Sequence, residues 1–349
     1  MKILIPLTSF GNSGGFRVLS ELANNWIKMG HSVSFLSHET GIEPYFPTVG
    51  KLLWYDNNGE IFEKKGNGKR SRFRLIGVLI SLRKAINKLE YDVIIANQCF
   101  TSFPVSFSKK CDKKFYYIQA YEPEYYTGNG IQSKFLNLLS KFSYRLKLDK
   151  IVNSPLYFNY EKIKANKCVY PGIDFKKFKP CDKANSDVFI IGCIGRIEPI
   201  KGTSYVLDAF EKLRQTNKNI QLHIAFGSKE LEKIEGLKVI DIKNDNELAR
   251  YYQKVNVIVA PGTYQLGAVH YPVIEAMACK TPVITTGYLP ANESNSWIVP
   301  IKNSDAIKDA ILDIIKSPDY LNERVNKAFT DVQEFGWEVV SEKMLSYFK

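Results

Sequence analysis

The sequence predicts an α/β protein made of two parallel-sheet domains that face each other across a cleft, and three observations carry that reading. Short apolar runs of strand length alternate with amphipathic stretches of helical period along the whole chain. The alternation breaks at YPGIDFKKFKPCDKANSD (Tyr170 to Asp187), a polar, basic stretch containing two prolines. The length of 349 residues suits roughly two domains of about 150 residues each.

In the first half, KILIPL, SVSFLS, DVIIAN, KFYYIQ and KIVNSP read as strands because each is a short apolar run with turn-forming or polar residues around it. Between them FRVLSELANNWIKMG reads as a helix. A basic irregular stretch and helix precede DVIIAN, and a further helix precedes KIVNSP. In the second half, VFIIGCIG, IQLHIAF, KVIDI, VIVAPG and TPVITT read as strands, and SYVLDAFEKLRQ, NELARYYQKV and PVIEAMAC as helices, with more helices toward the end. Strand-helix-strand series imply parallel sheets covered by helices on both faces, and strands this apolar belong inside them. The expected division is a Rossmann-like first domain over residues 1–175, a linker over 176–187, a second such domain over 188–333 and a closing segment over 334–349.

Six cysteines are scattered, without a C-x-x-C pair and without clustering near the four histidines. Neither a zinc site nor a disulfide framework follows, and the expectation is reduced thiols in a cytoplasmic protein. The first apolar run breaks at glycine and no stretch reaches about 18 apolar residues, so no signal peptide or membrane span is expected. The net charge of +12 is uneven: residues 1–175 carry +11 and residues 176–349 carry +1. The basic excess lies beside apolar residues at helical spacing, around Arg70, Arg72, Arg74, Arg83 and Lys84 and in SKFLNLLSKFSYRLKLDK (Ser133 to Lys150). Such faces suit peripheral contact with an anionic membrane. A solvated helix face accounts for the same residues. Nucleic acid is not expected, because no recognized binding motif occurs and the neutral second half continues no basic groove.

Three stretches carry chemistry. GCIGRIEPIKG sets Arg196 and Lys201 just past the carboxyl end of a strand, where ligands of open α/β sheets bind. A guanidinium fork and an ammonium there suit a phosphate or pyrophosphate. SFGNSGGFRVLSEL puts Gly14 and Gly15 at the first strand-to-helix turn, where bare amides and the positive helix end can approach an anion. HYPVIEAM opens another helix, with Pro272 expected at its first position. Neither G-x-x-x-x-G-K-[ST] nor G-x-G-x-x-G is present, which argues against a P-loop ATPase and a nicotinamide enzyme.

Taken in order, GGFRVLSELANNWIKMGHSV, VYPGID, GRIEPIKGTSYVLDAFEKL, VIDIKNDNELARYYQKVNVIVAPG, PVIEAMACKTPVITT and EFGWEVVSEKMLSYF resemble the retaining GT-B glycosyltransferases of glycosyltransferase family 4 over nearly the full length. The resemblance implies transfer of a sugar from a nucleotide-diphosphate donor on the second domain to a glycan or lipid-linked acceptor on the first, in surface polysaccharide or glycolipid synthesis. It also implies that the closing helix crosses back to the first domain. Arg196 and Lys201 would be catalytic, neutralizing the departing diphosphate without a metal or other cofactor. Gly14, Gly15, Gln119, Ile242, Lys243, Gly267, His270, Tyr271 and Glu275 would bind the donor, Glu275 through the ribose hydroxyls. Arg17, Tyr121, Glu122 and Tyr125 would lie on the acceptor side.

Two departures accompany the resemblance. Gly267 stands where the family has the first glutamate of its E-x7-E pair, leaving His270 or Tyr264 to supply that contact. Gln119 stands where many members have histidine, and YYIQAYEPEYYTGNG resembles the branch containing bacterial rhamnosyltransferases. A Gln hydrogen-bonds hydroxyls but does not titrate. The alternative reading is a noncatalytic sugar-nucleotide or glycan-binding protein on the same fold.

Overall fold

The computed structural model describes residues 1–66, 74–160, 162–182, 186–195, 198–316 and 318–349. Arg70, Arg72 and Arg196 lie outside them. In chain order the elements are β1 (Lys2–Pro6), α1 (Gly14–Lys28), β2 (Ser32–His38), β3 (Lys51–Tyr55), β4 (Ile61–Phe62), α2 (Arg74–Ile86), β5 (Val93–Ala96), α3 (Cys99–Ser106), β6 (Lys113–Ile118), α4 (Ile131–Ser143), β7 (Asp149–Val152) and β8 (Lys167–Cys168). There follow β9 (Phe189–Ile194), α5 (Thr203–Thr216), β10 (Ile220–Ala225), β11 (Leu237–Ile240), α6 (Asp245–Lys254), β12 (Val257–Ala260), α7 (Tyr271–Ala278), β13 (Val283–Thr285), β14 (Trp297–Ile298), α8 (Ser304–Lys316), α9 (Pro318–Asp331) and α10 (Trp337–Ser346). The contacts divide the chain into two compact units, Met1–Gly172 with Trp337–Lys349, and Ile173–Gly336.

The first unit's sheet runs β4-β3-β2-β1-β5-β6-β7-β8 and is parallel except where β4 meets β3. Alternate residues serve its two faces, as the strand period of two requires. Ile3, Ile5, Val33, Phe35, Val93 and Ile95 pack under α1 and α10. Leu4, Leu36, Ile94, Ala96, Tyr116 and Ile118 pack under the layer of α2, α3 and the end of α4. Helix α10 is fixed by fully buried Trp26, whose Nε1 donates to the Ser341 carbonyl at 3.1 Å and whose ring meets Phe348 edge-on at 5.7 Å.

The second unit's sheet runs β11-β10-β9-β12-β13-β14, with every described pair parallel. From the central β9 the chain first builds outward to β10 and β11, then returns to lay β12 on the other side. The strand order therefore reverses between β9 and β12, which is where ligands of such sheets bind. In the first unit the same reversal lies between β1 and β5.

Strands β3, β4, β8 and β14 and helix α3 have no counterpart in the sequence reading. Helix α3 is CFTSFPVS, apolar nearly all round and interrupted by Pro104. It lies against both α2 and α4, so it needs no polar face and shows no amphipathic period. No described helix is long and apolar enough to cross a membrane.

Candidate active site

At the reversal point of the second unit, Ile194 of β9 and Val259 and Ala260 of β12 floor a hollow of about 220 Å³ walled by Lys201, Pro261, Val269, His270, Tyr271 and Pro272. Lys201 ends a single 3-10 turn, Pro199–Lys201. The chain then reverses at Gly202, whose φ of +72° suits glycine and which precedes the first residue of α5. A β-carbon at Gly202 would lie 2.2 Å from the Pro261 carbonyl oxygen, so glycine is also a steric requirement of the close approach. The two loops are tied by Thr263 N donating to Ile200 O at 2.9 Å. Three more bonds close the rim: Gly267 N to Gly287 O at 2.9 Å, Leu289 N to Ala268 O at 3.0 Å, and Tyr288 Oη to Tyr264 O at 2.7 Å.

His270 is the cap residue of α7, its carbonyl accepting from Val273 N at 3.0 Å, and its ring stacks on Tyr288 at 4.4 Å. Pro272 is the second residue of α7, where the expectation was the first. Proline fits there because the amides of the first turn have no intrahelical acceptor. The hollow thus meets an ammonium, an imidazole and the start of α7, a constellation suited to an anion through charge and the positive end of the helix dipole.

Glu275 lies one turn deeper on α7 and is 3% exposed, with Oε2 accepting from Tyr252 Oη at 2.9 Å. It does not line the hollow, and it bonds a buried tyrosine of α6. Burial and the neighbouring Glu275 charge hold the Tyr252 phenol well above the ordinary range. Gly267 has a φ of +83°, and a β-carbon in that region costs on the order of 1 kcal/mol. The backbone here therefore disfavours any side chain, in keeping with the glycine that the sequence has at this position. Ile242 is buried, while the Lys243 amide donates to Glu247 Oε2 at 2.8 Å ahead of α6, beyond edge strand β11. Neither residue lines the hollow.

In the first unit, Gly14 and Gly15 open α1 behind the cap residue Ser13. A β-carbon at Gly15 would lie 3.3 Å from Gln119 Nε2, and that amide donates to the Gly15 carbonyl at 3.2 Å. Two residues 104 positions apart are thereby joined at the carboxyl end of the sheet. Arg17 lies in the first turn of α1, half-buried. The acceptor-side expectations divide. Tyr125 is 67% exposed. Tyr121 instead packs on Tyr144 and Tyr160, with ring centroids 5.7 and 4.8 Å away. Glu122 Oε1 accepts from Cys99 N, the first residue of α3, at 2.7 Å and from Tyr116 Oη at 3.1 Å. Burial raises the Glu122 carboxyl above the ordinary range, against the pull of those donors. The side chain caps α3 from a distant loop, a role its position in an acidic-aromatic motif did not reveal.

Gly202 and Pro261 shape the hollow, and Tyr252 and Tyr288 hold its surroundings, yet the sequence reading assigned them no role. Gly202 closes the Arg-Lys stretch and could have been found as a turn glycine. The hydroxyls of Tyr252 and Tyr288 bond across elements far apart in sequence, and no local pattern marks them. Among the described residues, no group of three His, Cys, Asp or Glu side chains could hold a metal ion.

The family described as "Glycosyl transferases group 1" matches residues 188–317, which contain the hollow and both helices at its rim. A D-inositol 3-phosphate glycosyltransferase from Segniliparus rotundus is 23% identical over 209 residues, 52% of this chain and 46% of the relative. The chain spans about half the length of the curated relatives it matches. Among solved structures, sucrose-phosphate synthase from Thermosynechococcus elongatus superposes with a TM-score of 0.71 at 19% identity, covering 99% of this chain and 98% of its own. Anabaena HepE in complex with UDP gives a TM-score of 0.72 at 16% identity, covering 99% of each chain. The chain therefore has the GT-B fold, and residues 188–317 of its second unit match the family described as group 1 glycosyl transferases.

Proposed function

We propose that the protein is a retaining, metal-independent glycosyltransferase that binds a nucleotide-diphosphate sugar on its second unit and passes the sugar to a glycan or lipid-linked acceptor in surface polysaccharide or glycolipid synthesis. The observation that carries this reading is the hollow at the β9/β12 reversal, where Lys201 and the start of α7 converge. When the sugar-phosphate bond breaks, its electron pair stays on the diphosphate. The Lys201 ammonium, the Arg196 guanidinium and the positive end of the α7 dipole offset that charge. His270 and Tyr271 meet the donor from the α7 side. UDP bound to HepE, a protein of the same fold, supports a nucleotide donor.

The alternative, a noncatalytic sugar-nucleotide binder, draws on Gly267, which brings no carboxylate to the rim. Calorimetric titration with UDP, GDP, ADP and dTDP tests binding. A saturable heat is expected for one base, weakened roughly 30-fold in Lys201→Ala by loss of a charge-assisted hydrogen bond of about 2 kcal/mol. No binding of any of the four would defeat the proposal. Release of nucleoside diphosphate from the matching donor in EDTA, with the product anomer read by NMR, separates enzyme from binder and tests both the retaining and metal-free claims.

A further inference from the structure

Helix α4 turns most of its apolar side chains outward. Its fully buried residues include Ser140 and Ser143, whose hydroxyls donate to the carbonyls of Asn137 at 2.8 Å and Ser140 at 2.7 Å within the helix itself. Four of its six large apolar residues point the other way: Ile131 is 89% exposed, Phe135 53%, Leu138 67% and Phe142, stacked on Phe103, 48%, while Leu136 and Leu139 are half-buried. At 100° per residue these four fall within about 60° of the helix circumference, forming one stripe. A helix folding only to serve its own core would present that stripe inward. On the same side of the sheet, Ile76 and Ile80 of α2 and Phe107 after α3 are also exposed. A run of this extent on one layer marks a surface that is covered in use.

Charge identifies the covering partner. No acidic residue occurs between Glu124 and Asp149, while Lys134, Lys141, Arg145 and Lys147 do. Lys134 and Lys141 fall along one flank of the stripe by helical spacing. A second copy of this chain would set these cations against their equals, and an acidic protein groove would not explain four apolar side chains in one exposed line. A bilayer with anionic headgroups answers both features: the apolar stripe enters the headgroup and acyl boundary and the lysines meet phosphate. We infer that the outer face of α4 docks the first unit on an anionic lipid surface. This inference stands independently of the reaction proposed above.

Vesicle co-sedimentation of the full chain tests it, using phosphatidylcholine alone and in equal parts with phosphatidylglycerol. Pelleting with the anionic vesicles and release by about 0.5 M salt are expected. Phe135→Glu/Leu138→Glu should lower partitioning about tenfold or more, and Lys134→Glu/Lys141→Glu should do the same at low salt. Because Lys134, Phe135 and Leu138 are exposed and Lys141 is only half-buried, both variants should melt like the parent by circular dichroism. A chain that stays in the supernatant, or variants that pellet like the parent, would overturn the inference. So would a dimer seen by sedimentation velocity that Phe135→Glu/Leu138→Glu dissolves in the absence of vesicle binding.

Discussion

Replacing Glu122 with alanine should unfold the first unit more easily without touching any reacting group. The carboxylate takes two hydrogen bonds on one oxygen, from the Cys99 amide at 2.7 Å and the Tyr116 hydroxyl at 3.1 Å, and Tyr116 is fully buried. A lost hydrogen bond to a charged acceptor costs about 1.5–3 kcal/mol, and a stranded buried hydroxyl about 1–3. The two share one acceptor and do not add fully, so a total of about 2–4 kcal/mol is expected. With a urea slope near 2 kcal/mol/M, the midpoint falls by about 1–2 M. Tryptophan fluorescence suits the measurement, because Trp26, Trp54 and Trp337 belong to this unit and only Trp297 to the other. Glu122→Gln keeps an acceptor oxygen in place and should stay within about 1 kcal/mol of the parent.

The two proteins should also differ in pH dependence. Burial raises the Glu122 carboxyl, so between the ordinary carboxylate value and the raised one the folded state holds a proton that the unfolded chain has lost. Stability then falls as pH rises through that window. Glu122→Gln lacks this slope and gains on the parent over the same span. An unchanged midpoint in Glu122→Ala together with lost turnover would refute the capping role and return Glu122 to the acceptor side.

Three further outcomes follow from the second unit. Gly202→Ala, forced to a φ of +72° with its β-carbon 2.2 Å from the Pro261 carbonyl, should cost about 1–3 kcal/mol and weaken nucleotide binding by displacing Lys201. Calorimetry showing parental affinity would contradict the geometry. Tyr252→Phe removes the hydroxyl from buried Glu275 at about 1.5–3 kcal/mol, which hydrogen exchange in peptides spanning 245–280 should register as lost protection. His223 is buried, and desolvation with the nearby Lys238 and Lys254 pushes it down to about 4. Its contribution is therefore complete above the ordinary value near 6.5 and is lost as pH falls through about 4, by on the order of 3 kcal/mol. His223→Gln should lose that share of the acid sensitivity, read as the difference in unfolding midpoint between pH 7 and 4.5.

Nearly all the longer strands were legible in the sequence, because parallel strands covered on both faces need continuous apolar runs such as VIIA and VIVA, and these signals are local. The order of strands was not, since β12 returns beside β9 through pairings that no single segment contains. The stretch from Gly192 to Gly202 could be read from its residue types as a candidate anion site. Only the fold showed that Gly202 must be glycine, because the restricting atom belongs to Pro261, 59 positions away. Glu275 was legible as an acid on a helix, while its burial against Tyr252 depends on how α6 packs on α7. Glu122 invited a functional reading from its tyrosine neighbours, yet its carboxylate is used by α3, a helix too apolar to announce itself. Helix α4 draws the line most clearly. Its sequence fixes the spacing of the apolar stripe, because side-chain direction follows the 3.6-residue turn. Which side faces outward was decided by the tertiary structure, because burial is a property of what a helix packs against and not of the helix itself.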